Sequence, residues 1–131
     1  MDKSKQIFFS GADLLLADFG VVMLHTYIAS VDFRNELSKV SHCAEGIEPY
    51  YKAYIDGCTE EERSIAKAIS NYPQKMMSFA ARVIQMYESE SEFRKMIDDV
   101  SVWCGEMKCR LPDVRMTTII LAQFAKEWLI K

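Results

Sequence analysis

The residues that could carry nucleophilic or metal chemistry are few in this chain. They are two histidines and four cysteines: His25, His42, Cys43, Cys58, Cys104 and Cys109. Zinc sites usually have two close-spaced pairs of ligands, whereas this chain has the His42-Cys43 doublet and Cys58 fifteen residues further on. A catalytic Cys-His pair would need a thiol and an imidazole close together in the fold, and the sequence spacing does not indicate such a contact.

Common motifs for cofactor binding and hydrolysis are also missing from the sequence. It contains no phosphate-binding loop, no glycine-rich dinucleotide turn, no His-Glu-x-x-His, no Cys-x-x-Cys and no Gly-x-Ser-x-Gly. We therefore predict no catalytic, cofactor-binding or metal-binding residues, and no enzymatic activity.

The four cysteines are expected to be free thiols. Half of the 131 residues are hydrophobic, so the chain can build a core that is stable without disulfide bonds. Cys104 and Cys109 fall on a predicted helix, where a separation of five residues turns their side chains to different sides. A bridge between them is therefore geometrically poor.

Asp18, His25 and Asp32 recur every seven residues and so lie close to one stripe of the first predicted helices. One interpretation is a pH sensor or proton relay, in which the imidazole exchanges protons with the carboxylates. The other is a solvated helix face, because two turns separate successive members of the stripe. The spacing favours the solvated face.

Composition indicates an all-α protein and limits the class of partner. The net charge is -3, from 19 acidic and 16 scattered basic residues, so we expect no nucleic-acid groove. Five glycines and three prolines are few for a turn-rich β-protein. The chain starts without the long apolar core and cleavage site of a secretory signal, which predicts a cytoplasmic protein.

Helix-start signals divide the chain into seven amphipathic segments. Ser10 with Asp13, and Thr59 with Glu62, have the spacing of a capping box. The predicted helices run from about Gly11 to Ile28, from Ser30 or Asp32 to about Ala44 before Gly46, from Pro49 to Asp56, from Thr59 to before Asn71, from Pro73 to about Tyr87, from Ser89 to near Leu111, and from Pro112 to Ile130.

The last predicted helix, Pro112 to Ile130, is apolar on most of its circumference and is expected at the centre of the fold. Charged residues inside it argue against a membrane span. The helix before it is expected to turn Trp103, Cys104 and Met107 towards the core.

Residues 1–131 are thus predicted to form a single α-helical domain, a compact bundle of about six to seven helices. Residues 1–10 can be a flexible N-terminal segment.

A partner surface is predicted between residues 50 and 62. It combines three tyrosines with an acidic run: Tyr50, Tyr51, Tyr54, Glu60, Glu61 and Glu62. Tyrosine supplies amphipathic contact area at little entropic cost, and the carboxylates could form a rim that steers a basic partner. The alternative is that the rings close the edge of a small core, with their hydroxyls in water.

Seven amphipathic segments of this length resemble, in architecture alone, the globins and the apoptosis-regulator-like helical fold of viral intracellular antagonists. The globin resemblance implies a proximal histidine near residues 103–110, but no histidine follows His42, so conventional haem ligation is not expected.

We expect a small non-enzymatic interaction module, an adaptor, inhibitor or antagonist that binds another protein and can form a homodimer. The alternative is a globin-like or other helical ligand-binding or sensor domain without His-ligated haem, since eight methionines could surround an apolar ligand.

Overall fold

The computed structural model describes residues 9–39 and 43–130, apart from the side chains of residues 43 and 44. In this part of the chain the elements follow in the order α1 Gly11–Ala29, α2 Val31–Lys39, α3 Cys43–Asp56, α4 Glu60–Ala68, α5 Tyr72–Ser89, α6 Ser91–Asp99, β1 Ser101–Cys104, β2 Cys109–Pro112 and α7 Val114–Ile130. The predicted compact helical bundle is confirmed, and α7 packs extensively along α1. Most of the predicted N-terminal segment, residues 1–8, lies outside the described residues.

Helix α1 forms the interior around which α7, α5, α3 and α4 are arranged. Its Leu16, Phe19 and Leu24 are fully buried. Gly20 allows two neighbouring helices to approach closely, because a Cβ atom there would lie 3.2 Å from both Leu121 Cδ1 and Phe79 Cε2. A methyl group at this position would require Leu121 and Phe79 to shift by a few tenths of an ångström.

In the described part of the chain, α1 is the helix that is long and apolar enough to cross a membrane by length and composition. Half of the qualifying window is buried inside the bundle. The core helix of a soluble protein passes the same test, so these criteria are weak evidence for a membrane span.

The two predicted capping boxes are confirmed. At the start of α1, the Asp13 N–H donates to Ser10 Oγ at 3.1 Å, and the Ser10 N–H donates to Asp13 Oδ2 at 3.0 Å. At the start of α4, Glu62 N–H and Thr59 Oγ1 are 3.1 Å apart, and the return bond from Thr59 N–H to Glu62 Oε1 is 2.9 Å. These reciprocal bonds satisfy amides that the helix itself leaves without partners.

The predicted boundary between the second and third helices is wrong. Helix α3 begins at Cys43 and continues through Gly46 and Pro49 to Asp56. Gly46 does not act as a left-handed helix cap, because no described glycine has positive φ. Ile47, which lies between the two expected breakers, is fully buried, and its burial favours the additional helical turns.

The predicted sixth helix is wrong beyond Asp99. After α6, β1 and β2 form an antiparallel hairpin that pairs Ser101 with Pro112 and Cys104 with Cys109. Val and Trp in β1 favour extended backbone. Lys108 closes the turn with φ of 53°, a left-handed conformation that is incompatible with the predicted right-handed α-helix.

The hairpin reverses the predicted environment of two large side chains. Trp103 is 65% exposed and Met107 is 51% exposed, although both were expected to face the core. Trp103 lies on β1 and Met107 lies in the turn that follows it, so the helical spacing that would have placed both side chains inward does not apply.

Helix α7 covers one side of α1 and leaves part of its own surface in water. It buries Thr117, Leu121, Ala122 and Ala125. Met116 and Ile119 are each about half exposed, at 49% and 50%. The apolar circumference seen in the sequence therefore supplies both the core contact and an exposed apolar face.

Candidate functional site

The predicted segment from Tyr50 to Glu62 contains two rings that pack at the edge of the core. The Tyr54 hydroxyl donates to Asp18 Oδ2 at 2.5 Å, and its ring centroid lies 5.0 Å from that of Phe19. Tyr51 meets the same Phe19 ring edge-on at 5.9 Å. Burial, followed by the hydrogen bond and charge of Asp18, holds the pKa of Tyr54 well above its usual range.

The other predicted residues of this segment differ in exposure. Tyr50 is 40% exposed and packs edge-on against Phe33 with a centroid distance of 4.7 Å. Glu60 and Glu61 are exposed, while the Glu62 carboxylate is used in the α4 capping box. A partner could therefore reach Tyr50 and the first two carboxylates, whereas Tyr51 and Tyr54 are half-buried against α1.

The stripe of Asp18, His25 and Asp32 is not brought together as a proton relay. Asp18 accepts the Tyr54 hydrogen bond. His25 Nε2 donates to the Pro112 carbonyl at 2.6 Å and so ties α1 to the hairpin. Asp32 is exposed at the start of α2, after α1 has ended.

A second candidate surface was missed by the sequence reasoning. It consists of six large hydrophobic side chains on the hairpin and the start of α7, each between 49% and 65% exposed: Val102, Trp103, Met107, Val114, Met116 and Ile119. We call this set the hairpin surface; Val102 and Trp103 are neighbours on β1 and therefore project from opposite faces of the ribbon. It contains six of the twelve large hydrophobic residues that are exposed in the described parts of the chain.

The base of the hairpin is fixed to the bundle by hydrogen bonds. Ser101 Oγ donates to the Ile97 carbonyl at 2.9 Å, and the Asp113 N–H donates to the Val100 carbonyl at 2.8 Å. β2 lies against α1 and α6, and β1 packs chiefly against β2. The exposed side chains are therefore carried on an anchored element.

A cleft of about 240 Å³ lies where α1, α2, α5 and α6 meet. It is lined by Tyr27, Ile28, Arg34, Tyr87, Glu88 and Arg94. Arg34 Nη1 donates to the carbonyls of Tyr27 and Ile28 at 2.6 and 2.8 Å, at the C-terminal end of α1. Arg94 lies 4.9 Å from the Tyr87 ring centroid. Burial and the Glu88 carboxylate raise the pKa of Tyr27 to about 12.

The two arginines of this cleft already interact with other groups of the protein. Arg34 pairs with the negative end of the α1 dipole, and Arg94 also lies 3.8 Å from an oxygen of Asp98. These contacts join α2 to α1 and α6 to α5.

A groove between α5 and α7 contains two further clefts, of about 250 and 230 Å³, that share Trp128. Phe79 packs edge-on against Trp128 at 6.0 Å, and Phe124 lines the second cleft. Arg82 and Glu90 form a salt bridge of 3.0 Å at its rim. This groove is apolar at its floor and charged at its edge.

Within residues 9–39 and 45–130, no group of three or more His, Cys, Asp or Glu side chains is arranged to hold a metal ion. The side chains described above make packing contacts, hydrogen bonds, salt bridges and a cation–π contact. Comparisons of the chain with protein-family models, with curated proteins and with solved structures gave no match.

Proposed function

We propose that this chain is a protein–protein interaction module that binds another protein through the hairpin surface and has no reaction of its own. The observation that carries the proposal is the exposure of Trp103, at 65%. Tryptophan usually buries most of its large ring and is strongly enriched among residues that dominate binding energy. A partner that covers this ring would remove a large apolar area from water.

The neighbours of Trp103 support a binding role. Arg110 is its direct partner across the hairpin, so both side chains project from the same face of the ribbon. Arginine is also enriched at binding hot spots, because it combines an apolar stem with a planar charged group. The Arg110 guanidinium donates to the Ser101 carbonyl, which restrains this side chain before a partner arrives.

The small size of the three clefts described above supports a protein partner over a small ligand bound in one of them. The three clefts described above have volumes of about 250, 240 and 230 Å³. Pockets for drug-sized ligands usually have volumes of about 300–1,000 Å³. The hairpin surface instead presents exposed apolar side chains, which a protein interface can bury.

The Tyr50 to Glu62 segment remains a second proposed contact region. Its exposed members, Tyr50, Glu60 and Glu61, could form a polar rim, while the half-buried rings hold the segment on α1. We place this module in the cytoplasm, where a homodimer is an additional form of the same interaction.

The test is affinity capture from the source cells with quantitative mass spectrometry, using wild-type chain, Trp103→Ala and Val31→Ala. Val31 is a matched control because it is 59% exposed and lies on α2, outside the hairpin surface. Trp103→Ala should weaken partner binding by about 2 kcal/mol, or about thirtyfold, and change the free energy of unfolding by less than about 0.5 kcal/mol. Val31→Ala should leave binding unchanged.

Two further measurements identify the alternatives. Native mass spectrometry of the purified chain distinguishes a homodimer from a complex with another protein.

Glu60→Lys tests whether the acidic rim attracts a basic partner. Slower association that depends on salt concentration would support this role. Loss of binding in Glu60→Lys together with full binding in Trp103→Ala would move the interface to the Tyr50 to Glu62 segment. A chain with no protein partner and no self-association would refute the proposed function.

A further inference from the structure

Cys104 and Cys109 occupy directly opposed positions in the hairpin, whereas the predicted helix would turn their side chains to different sides and make a bridge geometrically poor. They are the last paired residues before the turn formed by residues 105–108. Directly opposed residues of an antiparallel pair project to the same face of the ribbon. Both side chains are partly exposed and both thiols are free in the structure, so a reagent can reach either sulfur.

The hydrogen-bond pattern of the hairpin defines the spacing of this pair. The Asp113 N–H donates to the Val100 carbonyl, and hydrogen-bonded and non-hydrogen-bonded pairs alternate along an antiparallel ribbon. Pro112, which has no N–H, falls at a non-hydrogen-bonded position, as this alternation requires. Cys104 and Cys109 therefore form a hydrogen-bonded pair.

The Cα atoms of such a pair are usually about 5.5 Å apart. Disulfides join Cα atoms that are about 4.4–6.8 Å apart, so the pair meets this criterion. Directly opposed Cβ atoms are about 4.5–5.5 Å apart, with the larger values in hydrogen-bonded pairs, whereas disulfides need about 3.5–4.5 Å, so closure must draw the two Cβ atoms together. From this register and accessibility, we propose that Cys104 and Cys109 are a site of reversible oxidation, at which a small-molecule disulfide converts the two thiols into an intramolecular disulfide. This inference is independent of any partner at the hairpin surface.

The reaction proceeds by two thiol–disulfide exchanges with glutathione disulfide. One protein thiol loses its proton, and the thiolate attacks a glutathione sulfur, which breaks the glutathione S–S bond and releases one glutathione thiolate. The second protein thiolate then attacks the protein sulfur of the mixed disulfide and releases the second glutathione. The two protein sulfurs give up two electrons in total to the two glutathione sulfurs, and the two protons end on the two glutathione thiols.

Cys58 provides an internal contrast. Its side chain is only 9% exposed, and burial, followed by the charges of Glu62 and Asp18, raises the pKa of its thiol. A buried thiol that is harder to ionise reacts more slowly with a disulfide reagent. The hairpin thiols are therefore expected to react faster than Cys58.

The experiment incubates the full chain with defined ratios of reduced and oxidised glutathione, stops exchange with acid, and maps the linked peptides by mass spectrometry. The expected product is a Cys104–Cys109 link that exceeds the singly glutathionylated forms of these cysteines by at least about tenfold, because closure is intramolecular. Reduced dithiothreitol should restore both thiols. Hydrogen exchange of the hairpin amides should slow in the oxidised form.

A register-shifted variant is the matched control. Cys109→Ser with Arg110→Cys keeps the number of thiols but places the second one opposite Trp103, on the other face of the ribbon. It should accumulate mixed disulfides and form at least about tenfold less internal link. If circular dichroism shows that this variant is unfolded, Trp103→Cys with Cys104→Ser makes the same shift in β1 and leaves Arg110 in place.

The proposal is overturned by any of three results. The native pair could remain as separate mixed disulfides, the cysteines could link to Cys43, Cys58 or another copy of the chain, or the folded register-shifted variant could close as well as the native sequence. The last result would mean that closeness in sequence, and not the hairpin register, determines the reaction.

Discussion

Buried hydroxyl groups show how single residues are accommodated in this bundle. Tyr72 is fully buried and donates to the Ala12 carbonyl at 2.7 Å. Ser101 is 8% exposed and donates to the Ile97 carbonyl. Thr117 is fully buried on α7, and its Oγ1 has no hydrogen-bond partner among the described residues. A buried hydroxyl without a partner costs free energy that an apolar group of the same shape does not.

Thr117→Val is therefore expected to stabilise the protein by about 1 kcal/mol. The substitution exchanges the hydroxyl for a methyl group and keeps the branched shape of the side chain. Urea unfolding followed by circular dichroism measures the change in the free energy of unfolding.

Thr118→Val is the adjacent control for this prediction. Thr118 Oγ1 donates to the Val114 carbonyl at 2.6 Å and is half-exposed, so its replacement should have little effect or cost up to about 1 kcal/mol. A loss of stability of 1 kcal/mol or more in Thr117→Val would show that the buried hydroxyl makes a favourable interaction.

At the scale of elements, the sequence was most informative where it contains a local start signal. The boxes at Ser10 and Thr59 correctly predicted the starts of α1 and α4, and Pro73 lies in the first turn of α5. These signals act over a few residues, so they can be read without knowledge of the fold.

The hairpin could not be read in the same way. The helical spacing of Val100, Trp103 and Met107 is a coincidence. The turn depends on the left-handed backbone of Lys108, and lysine is not a residue type that indicates this conformation. Trp103 is exposed because it lies on a strand and not on the predicted helix.

The tyrosine cluster could be recognised in the sequence. Its separation into exposed Tyr50 and half-buried Tyr51 and Tyr54 could not, because it arises from contacts with α1 and α2.

Lys108→Gly is expected to stabilise the hairpin by about 0.5–1 kcal/mol. Lys108 has φ of 53°, a region in which glycine avoids the steric cost that a Cβ atom imposes. Amide exchange of residues 101–104 and 109–111 should slow by about two- to fivefold.

Glu106→Gly tests whether this gain is specific to the left-handed position. Glu106 lies in the same turn, and positive φ among the described non-glycine residues occurs at Asn71 and Lys108. Glycine at position 106 therefore adds freedom to the unfolded chain without relieving strain, and should cost about 0.5–1 kcal/mol. Equal effects of the two variants would argue against a left-handed Lys108.

At the scale of the whole molecule, tyrosines join α1 to the surrounding helices. Tyr72 of α5 bonds to the start of α1, Tyr54 of α3 bonds to its middle, and Tyr27 near its end meets Tyr87 of α5 edge-on at 6.4 Å. Burial is the largest cause of a raised pKa at each of Tyr27, Tyr51, Tyr54, Tyr72 and Tyr87. Because these groups hold their protons more tightly in the folded chain, the bundle as a whole should be sensitive to alkaline pH.

The free energy of unfolding is expected to fall as the pH rises above about 10. An unfolded tyrosine ionises near pH 10, whereas burial and Glu88 raise the pKa of Tyr27 to about 12, and burial raises the pKa of Tyr72 further above its usual range. The stabilisation is thus fully present below about pH 10 and is lost progressively from about pH 10 through about 12 and beyond, since the unfolded chain releases these protons first. Urea unfolding at a series of pH values gives the slope of the free energy of unfolding against pH, and tyrosinate absorbance should rise in step with the loss of helical signal.

Tyr72→Phe removes one of these ionisable groups and should make that slope shallower, at the cost of the hydrogen bond to Ala12. A free energy of unfolding that stays constant from about pH 9 to 12, with complete tyrosine ionisation in the folded chain, would mean that these hydroxyls are open to solvent.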